Sequence, residues 1–272
     1  MHSPPVCVSA LCFFQLCLAA TPLCPDCQIH VVYPGGEKNV QQLYGNQRIV
    51  RIINDYRRVS GDPRWSGKPR LQESDFSFIA KVEISGSVQC SAALVAPRVV
   101  ISSSACCRNK SHHQLQILFS GGRKLAVDLI VKPEFCPELC LLYLESQTEF
   151  LPVNISRQSL KLGHNAYMVM ASPDLRFYGR RLTQIIENRA CKVTFQEEES
   201  AYITPSMICA KNSGTADRCA NNPGDGLLMD NQLCGINAYG SRCRPNYLNG
   251  DLYIDLTTLQ PMIGDLIQQL NG

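Results

Sequence analysis

The 272-residue sequence carries little charge, and its charges nearly balance. Asp, Glu, Lys and Arg together make up 18% of the residues, and the formal net charge is only +3. Domains that attract nucleic acid or anionic membranes through long-range electrostatics carry a much larger basic excess. The composition therefore predicts no nucleic-acid partner.

Beyond its N-terminus the sequence has no apolar run long enough to span a bilayer. The run Val6–Ala20 is shorter than the roughly 20 residues that a membrane helix needs. It has no Lys or Arg before it, but it ends in Ala19 and Ala20, the small residues typical of a cleavage site. We interpret residues 1–20 as a signal peptide and predict a secreted, extracellular protein without a membrane span.

The sequence also has too few paired cysteines for a zinc site, because Cys24-Pro-Asp-Cys27 has no second CxxC at suitable spacing. We predict no metal and no cofactor. Of the fifteen cysteines, three lie in the signal segment, which leaves twelve. An even number in an exported chain indicates a disulfide framework.

Two tripeptides are acceptors for N-glycosylation in an exported chain. They are Asn109-Lys-Ser111 and Asn154-Ile-Ser156. Because glycans need space, we predict that Asn109 and Asn154 lie in surface loops.

Residues 21–73 form a polar leader, basic in places, in which Pro34-Gly35-Gly36 and Gly61-Asp62-Pro63 interrupt any regular pattern. Since it shows no sustained helical or strand period, we predict a loosely structured segment with at most a short strand near Gln47–Ile53.

From residue 74 onward the pattern changes to short apolar runs separated by Gly, Pro, Asn and Ser. The runs are Phe76–Ile84, Ala93–Ser102, Leu115–Phe119, Leu125–Val131, Leu139–Leu144, Ala166–Ala171, Leu227–Met229 and Leu233–Tyr239. Regularly spaced short strands predict an all-β sandwich or barrel. One helix is expected at Leu259–Leu270, where apolar residues recur at helical spacing.

Several motifs follow one another in this β-rich part. They are Cys90-Ser-Ala-Ala-Leu-Val-Ala-Pro-Arg-Val-Val-Ile-Ser-Ser-Ser-Ala-Cys106, Met207-Ile-Cys-Ala210, Cys219-Ala-Asn-Asn-Pro-Gly-Asp-Gly-Leu227 and Gly235-Ile-Asn-Ala-Tyr-Gly240. In this order they resemble the trypsin-like serine proteases, and among them the secreted, catalytically inactive homologues common in insects. The resemblance covers about Asp75–Gly272. It implies a chymotrypsin-like fold for residues 74–272: two six-stranded antiparallel β-barrels and a C-terminal helix.

The resemblance also assigns the three positions of the catalytic triad. Ala105 stands in place of the histidine, Glu138 in place of the aspartate and Pro223 in place of the serine. Ala105 has no proton acceptor, Pro223 has no nucleophilic hydroxyl group, and Glu138 has no imidazole to orient. A shifted register places Gly226 at the serine position, so neither register supplies a serine. We therefore predict that the chain is not an enzyme.

Two further family features are altered. Proline at 223 removes one backbone N–H donor of the oxyanion hole, and Asn221 replaces the glycine that supplies the other. In the family, cleavage before an Ile-Val terminus creates an amino group that pairs with an aspartate, which is Asn222 here. The stretch at Arg64 contains no Ile-Val. We predict that this activation does not take place.

One specificity feature is retained in the sequence. The resemblance places Asp217 at the base of a pocket for Arg or Lys side chains, with Gly240 and Gly250 as small wall residues. The alternative is an ordinary loop acid beside Arg218, since a chain without catalysis has no need of its pocket.

The resemblance implies three disulfide bonds: Cys90 with Cys106, Cys191 with Cys209, and Cys219 with Cys243. Six cysteines of the mature chain fall outside that pattern, and six cysteines allow fifteen pairings. These are Cys24, Cys27, Cys107, Cys136, Cys140 and Cys234.

The leading hypothesis is a secreted pseudoprotease that acts as a binding partner, decoy or cofactor for other extracellular proteins, for instance in insect body or reproductive fluid. One alternative is a structural or storage secretion, and another is an active hydrolase with displaced catalytic groups. A clip-domain cofactor is disfavoured because the leader holds two cysteines where a clip domain needs six.

Overall fold

The computed structural model describes residues 29–32, 76–171, 174–175, 178–195, 203–212, 221–240 and 250–271. The predicted signal peptide and the predicted strand near Gln47–Ile53 lie outside these ranges. None of the helices in the described part of the chain is long and apolar enough to cross a membrane.

The first barrel is built from six antiparallel strands that close on themselves in the order β2-β3-β4-β7-β6-β5. The strands are β2 (Ile79–Ile84), β3 (Ser87–Ala96), β4 (Val99–Ser103), β5 (Leu115–Leu118), β6 (Lys124–Val131) and β7 (Leu139–Leu144). Their Val, Ile and Leu side chains fill the barrel, as expected for residues that favour a pleated, half-buried surface. The all-β prediction is confirmed here.

The apolar run Ala93–Ser102 proves to be a hairpin where the sequence suggested a continuous segment. It is divided between β3 and β4 by a turn at Pro97 and Arg98. Proline cannot donate to a strand ladder, so it ends the first strand and starts the turn.

The second barrel closes in the order β8-β9-β10-β13-β12-β11, with β11 pairing back onto β8. Its strands are β8 (Asn165–Ala171), β9 (Tyr178–Ile186), β10 (Met207–Lys211), β11 (Gly226–Met229), β12 (Gln232–Asn237) and β13 (Gly250–Asp255). Together the two barrels confirm the chymotrypsin-like fold.

A strand from the leader was not expected at the place where it occurs. The strand β1 (Ile29–Val32) pairs antiparallel with Tyr178–Arg181 of β9. The sequence pattern pointed instead to Gln47–Ile53. Four residues are too few for a periodic signal, so this pairing depends on an edge of β9 that the sequence does not reveal.

Three helices and two short 3₁₀ turns complete the described structure. The helices are α1 (Ser104–Cys107), α2 (Asn188–Thr194) and α3 (Leu256–Asn271), and the turns are His112–Gln114 and Ser120–Gly122. The predicted C-terminal helix is confirmed and begins three residues earlier than expected. Asp255 precedes it and accepts a hydrogen bond from the Thr257 N–H at 3.0 Å, which satisfies one of the free donors at the helix start.

Disulfide bonds fasten both barrels. Cys90 is bonded to Cys106 and Cys191 to Cys209, as the resemblance implied. A further bond joins Cys107 to Cys140 and thereby links α1 to β7. Cys136 and Cys234 are buried free thiols. Cys24, Cys27, Cys219 and Cys243 lie outside the described residues.

The barrels meet along a seam of backbone and side-chain hydrogen bonds. Ser91 N–H of β3 donates to the carbonyl oxygen of Pro223 at 2.9 Å. The Ser103 hydroxyl at the end of β4 donates to the carbonyl oxygen of Ala238 at 2.5 Å. Residues from both barrels are therefore fixed to each other where the triad positions lie.

Candidate functional site

Ala105 lies in the short helix α1, directly after strand β4. Ser103 caps this helix, since its hydroxyl accepts a hydrogen bond from the Ala105 N–H at 3.1 Å while it donates to Ala238 across the seam. The methyl group of Ala105 is exposed. The position assigned to the histidine is thus accessible and rigidly placed, but its side chain has no proton acceptor.

Glu138 lies beside the same helix, immediately before β7. Its carbonyl oxygen accepts a hydrogen bond from the Ser104 N–H at 2.7 Å. Its carboxylate lies 3.5 Å from the thiol of Cys136. Burial, together with the negative charge of Glu138, raises the pKa of Cys136 to about 11. At neutral pH this thiol is protonated and is therefore a weak nucleophile.

Pro223 lies against the disulfide bond next to Ala105. Its carbonyl oxygen accepts the Ser91 N–H and is 3.8 Å from the Cys106 sulfur. Gly226, the residue at the serine position in the shifted register, is buried in β11 and paired with Ile236. Of the two candidates, Pro223 is the one in contact with the residues that flank Ala105.

Asn221, assigned to the second oxyanion donor, directs its side chain into the second barrel. Its amide nitrogen donates to the Asp251 carboxylate at 2.6 Å and to the Tyr253 hydroxyl at 3.0 Å. Arg181 and Asn212 belong to the same buried polar cluster; Arg181 is hydrogen-bonded to Asn212, which in turn donates to Asp251 at 2.6 Å. The role of Asn221 that these contacts support is anchoring of the loop.

His112 and His113 occupy the 3₁₀ turn beyond the disulfide, and their rings lie 3.8 Å apart. The turn packs against β6. Within the described residues, no group of three or more His, Cys, Asp or Glu side chains is arranged to hold a metal ion.

The remnant specificity pocket is only partly within the described structure, because Asp217 lies outside it. Gly240 lies against the loop that carries Pro223. A β-carbon at position 240 would be 3.1 Å from Pro223 Cδ and 3.3 Å from the carbonyl oxygen of Asn221. The backbone at Gly240 is therefore in contact with the loop that carries Pro223.

Gly250, the other assigned wall residue, lies elsewhere in the barrel. A β-carbon there would be 2.5 Å from the Cys209 sulfur and 2.6 Å from the Cys191 sulfur. Its small size is required by the close approach of β13 to this disulfide bond.

Both predicted glycosylation acceptors lie on the surface. Asn109 is exposed in the turn after α1, with a positive φ of 56°. Asn154 is exposed in the segment that connects the two barrels, although its backbone carbonyl accepts the Leu233 N–H at 2.8 Å. Their side chains therefore have room for a glycan.

Sequence reasoning did not identify Lys81 and Asp225 as residues that shape this site. Both are buried, and they form an ion pair below the Pro223 loop. A lysine in the middle of the apolar segment Phe76–Ile84 was the available signal, because a buried charge requires a partner.

Comparison with known proteins agrees with the fold. The Trypsin family model matches residues 65–263 of this chain. Seminase of Drosophila melanogaster is 33% identical over 98 residues, which is 35% of this chain and 34% of that protein. Trypsin zeta of Drosophila erecta is 31% identical over 84 residues, 29% of each chain. The matched stretch thus spans about a third of the length of these curated relatives.

Solved structures share the architecture at low identity. Neuropsin from mouse brain superposes with a TM-score of 0.58 at 17% identity, covering 72% of this chain and 97% of neuropsin. A scabies mite inactivated protease paralogue superposes with a TM-score of 0.61 at 12% identity, covering 73% and 98%. The family match extends over most of the sequence and coincides with the two barrels, and we conclude that the chain belongs to the trypsin family of serine proteases and their homologues.

Proposed function

We propose that this chain is a secreted serine protease homologue without peptidase activity, which acts by binding other extracellular proteins. The observation that carries the proposal is Pro223, which lies on the Cys90–Cys106 disulfide bond next to Ala105. The position that needs a nucleophile thus holds a ring without a hydroxyl group or an N–H.

The rate factors known for loss of triad residues and of oxyanion donors support a nearly complete loss of hydrolysis. Enzymes of this type that lose triad residues retain roughly 10³- to 10⁴-fold catalysis over water from the oxyanion hole and substrate binding. Removal of one oxyanion donor costs about 10²- to 10³-fold more. The hydrogen bonds of Asn221 with Asp251 and Tyr253 hold the neighbouring loop against strand β13 of the second barrel. Little of the residual catalysis remains.

The preserved scaffold supports a binding role. The disulfide bonds Cys90–Cys106 and Cys107–Cys140 hold the C-terminal end of the helix that carries Ala105. A rigid scaffold that carries surface loops is a common basis for recognition. The scabies mite structure is described as that of an inactivated protease paralogue, so the same fold occurs in a protein to which inactivity is ascribed.

Export is supported by the disulfide bonds and by the surface position of both glycosylation acceptors. Disulfide bonds persist in oxidising compartments and are rare in the cytosol. Together with the substituted triad, these features support the proposed role as an extracellular partner, decoy or cofactor.

The catalytic half of the proposal is tested with purified full-length protein. We expect no hydrolysis of arginine or lysine esters and no labelling by a fluorophosphonate, with trypsin as the positive control. The triple variant Ala105→His, Glu138→Asp, Pro223→Ser restores the triad residues but leaves Asn221 and Asn222, so we expect little activity from it. Stoichiometric labelling of the unmodified chain at one site would overturn the proposal.

The binding half is tested by chemical cross-linking in the native fluid, followed by mass spectrometry. We expect a defined partner at near-stoichiometric yield, and loss of that partner when the chain is reduced and unfolded beforehand. High abundance with no specific cross-link would instead favour the structural or storage alternative.

A further inference from the structure

Lys81 and Asp225 form a buried ion pair that spans the seam between the barrels. Lys81 is in the middle of β2 in the first barrel, and Asp225 immediately precedes β11 in the second. Each side chain is 1% exposed, and Lys81 Nζ lies 3.8 Å from Asp225 Oδ1. The pair thus connects the two halves of the molecule below the Pro223 loop.

Ser91 of β3 completes this arrangement. Lys81 Nζ donates to the Ser91 hydroxyl at 2.7 Å, so Ser91 holds the ammonium group on the side of the first barrel. The Ser102 hydroxyl donates to the carbonyl oxygen of Ser91 at 2.6 Å and fixes β3 at this point. The ammonium group of Lys81 is therefore held both by the Ser91 hydroxyl of its own barrel and by attraction to the Asp225 carboxylate of the other barrel.

Asp225 organises the turn that contains Pro223. Its carboxylate accepts the Asn222 N–H at 2.7 Å, and its backbone N–H donates to the carbonyl oxygen of Asn222 at 3.1 Å. Its own carbonyl oxygen accepts the Asn237 N–H at 2.8 Å, and Gly224 N–H donates to Asn237 at 2.8 Å. The turn 221–226 is thus fixed on one side by strand β12 and on the other by Lys81.

Such a pair stabilises one conformation strongly because either charge alone would be unfavourable. Burial lowers the pKa of Lys81, and the nearby charge of Asp225 opposes that change. Burial raises the pKa of Asp225, and Lys81 together with the hydrogen bonds opposes that change as well. Removing one partner leaves a buried charge without compensation, whereas removing both is far less damaging.

We infer that Lys81 is an internal counter-ion that fixes the turn 221–226 against the first barrel, so that this turn reaches its folded conformation without cleavage of the chain. In family members that are activated by cleavage, the resemblance implies that a new amino terminus supplies the cation and the residue at position 222 supplies the acid. Here the acid lies three residues later, and its cation belongs to β2. The inference does not depend on the proposed binding function.

The test uses the uncut full-length protein and three variants: Lys81→Met, Asp225→Asn, and the two combined. Each single variant is expected to lower Tm by about 10 °C. Each should also accelerate hydrogen exchange at the amides of Asn222, Gly224 and Asn237 by on the order of 100-fold. The combined variant is expected to recover most of both losses, because no buried charge then remains.

The control is Arg189→Met, which removes the ion pair of Arg189 with Glu187 at the start of α2. That pair has a shorter distance, 2.5 Å, but Arg189 is 84% exposed and Glu187 is 52% exposed. We expect its Tm to change by about 2 °C or less, since exposed pairs contribute little. Cleavage of the parent chain after Arg64 is expected to leave the exchange rates at the turn unchanged.

Three outcomes would overturn the inference. One is a pair of single variants with unchanged Tm and amide protection. Another is a combined variant whose loss equals the sum of the two single losses, which would show that the residues act independently. The third is protection of the Asn222, Gly224 and Asn237 amides that appears only after the leader is cut. If the single variants fail to fold, the stability of the combined variant and the comparison of cut with uncut protein still test the inference.

Discussion

At the scale of single residues, the site is shaped most strongly by Gly224. Its φ is +89°, a backbone region that side-chain-bearing residues rarely adopt. A β-carbon there would overlap the carbonyl oxygen of Ser91 and lie 2.7 Å from the Ser102 hydroxyl oxygen. Both the conformation and the close approach of the two barrels therefore require glycine.

Replacing Gly224 by alanine is expected to lower the free energy of unfolding by about 3 kcal/mol or more, because it adds steric overlap to backbone strain. Gly163→Ala is the matched control. Its φ is +84°, but no atom lies within 4 Å of the added β-carbon, so strain alone should cost about 1 kcal/mol. Urea unfolding of both variants measures the difference. Equal losses would contradict the close packing at the seam.

At the scale of secondary-structure elements, α1 carries Ala105, β7 directly follows Glu138, and the Cys107–Cys140 bond joins these two elements. This bond spans 33 residues, compared with 16 for Cys90–Cys106. Loop entropy in the unfolded chain grows slowly with length, so the two bonds contribute similar amounts. The helix that carries Ala105 is thus held by two disulfide bonds that contribute similar amounts to the free energy of unfolding.

The double variant Cys107→Ser, Cys140→Ser is expected to lower the free energy of unfolding by about 3.5 kcal/mol, as the chain-entropy relation gives for this loop. Cys136→Ala, which breaks no disulfide bond, is the control and should lose about 1 kcal/mol. Urea unfolding under non-reducing conditions measures both. A loss in the double variant no larger than in the control would show that the bond does not constrain the unfolded chain.

Sequence reasoning predicted the elements well and the long-range contacts poorly. Apolar runs and helical spacing indicated the strands of the first barrel, the strands β8, β11 and β12 of the second and the helix α3, because burial imposes a local period. The strands β9, β10 and β13 were not among the predicted runs. The pairing of Cys107 with Cys140 could not be chosen among fifteen arrangements, because it depends on which strands become neighbours. The partner of Lys81 is far away along the chain, in the other barrel, and no local pattern indicates it.

In the candidate site, too, the sequence indicated the positions of residues along the chain but not their contacts in three dimensions. Motif order assigned Ala105 and Pro223 to triad positions, and in the structure the Pro223 carbonyl oxygen lies 3.8 Å from the sulfur of Cys106, the residue after Ala105. It could not show that the ring of Pro223 packs on Gly240, or that Gly250 lies against the Cys191–Cys209 bond. Such contacts follow from backbone paths in three dimensions.

At the scale of the whole molecule, the ring of Pro223 lies in contact with Gly240, one of the residues assigned to the specificity pocket. We expect this ring to obstruct an aromatic amidine that enters along Gly240. We therefore expect no heat when benzamidine is titrated into the protein to millimolar concentration, with trypsin measured in parallel. Binding that disappears in Asp217→Ala would contradict this expectation and show that the pocket is open.

The proline ring at position 223 also restricts how this lineage can evolve. A serine there would remove the ring that packs on Gly240 and would gain nothing while position 105 lacks a histidine. A histidine at 105 would likewise gain nothing beside a proline. Because each single step loses packing or restores only one of the assigned triad residues, several substitutions would be needed together to complete a triad. Under the proposed function, sequence change is expected to act instead on the surface loops.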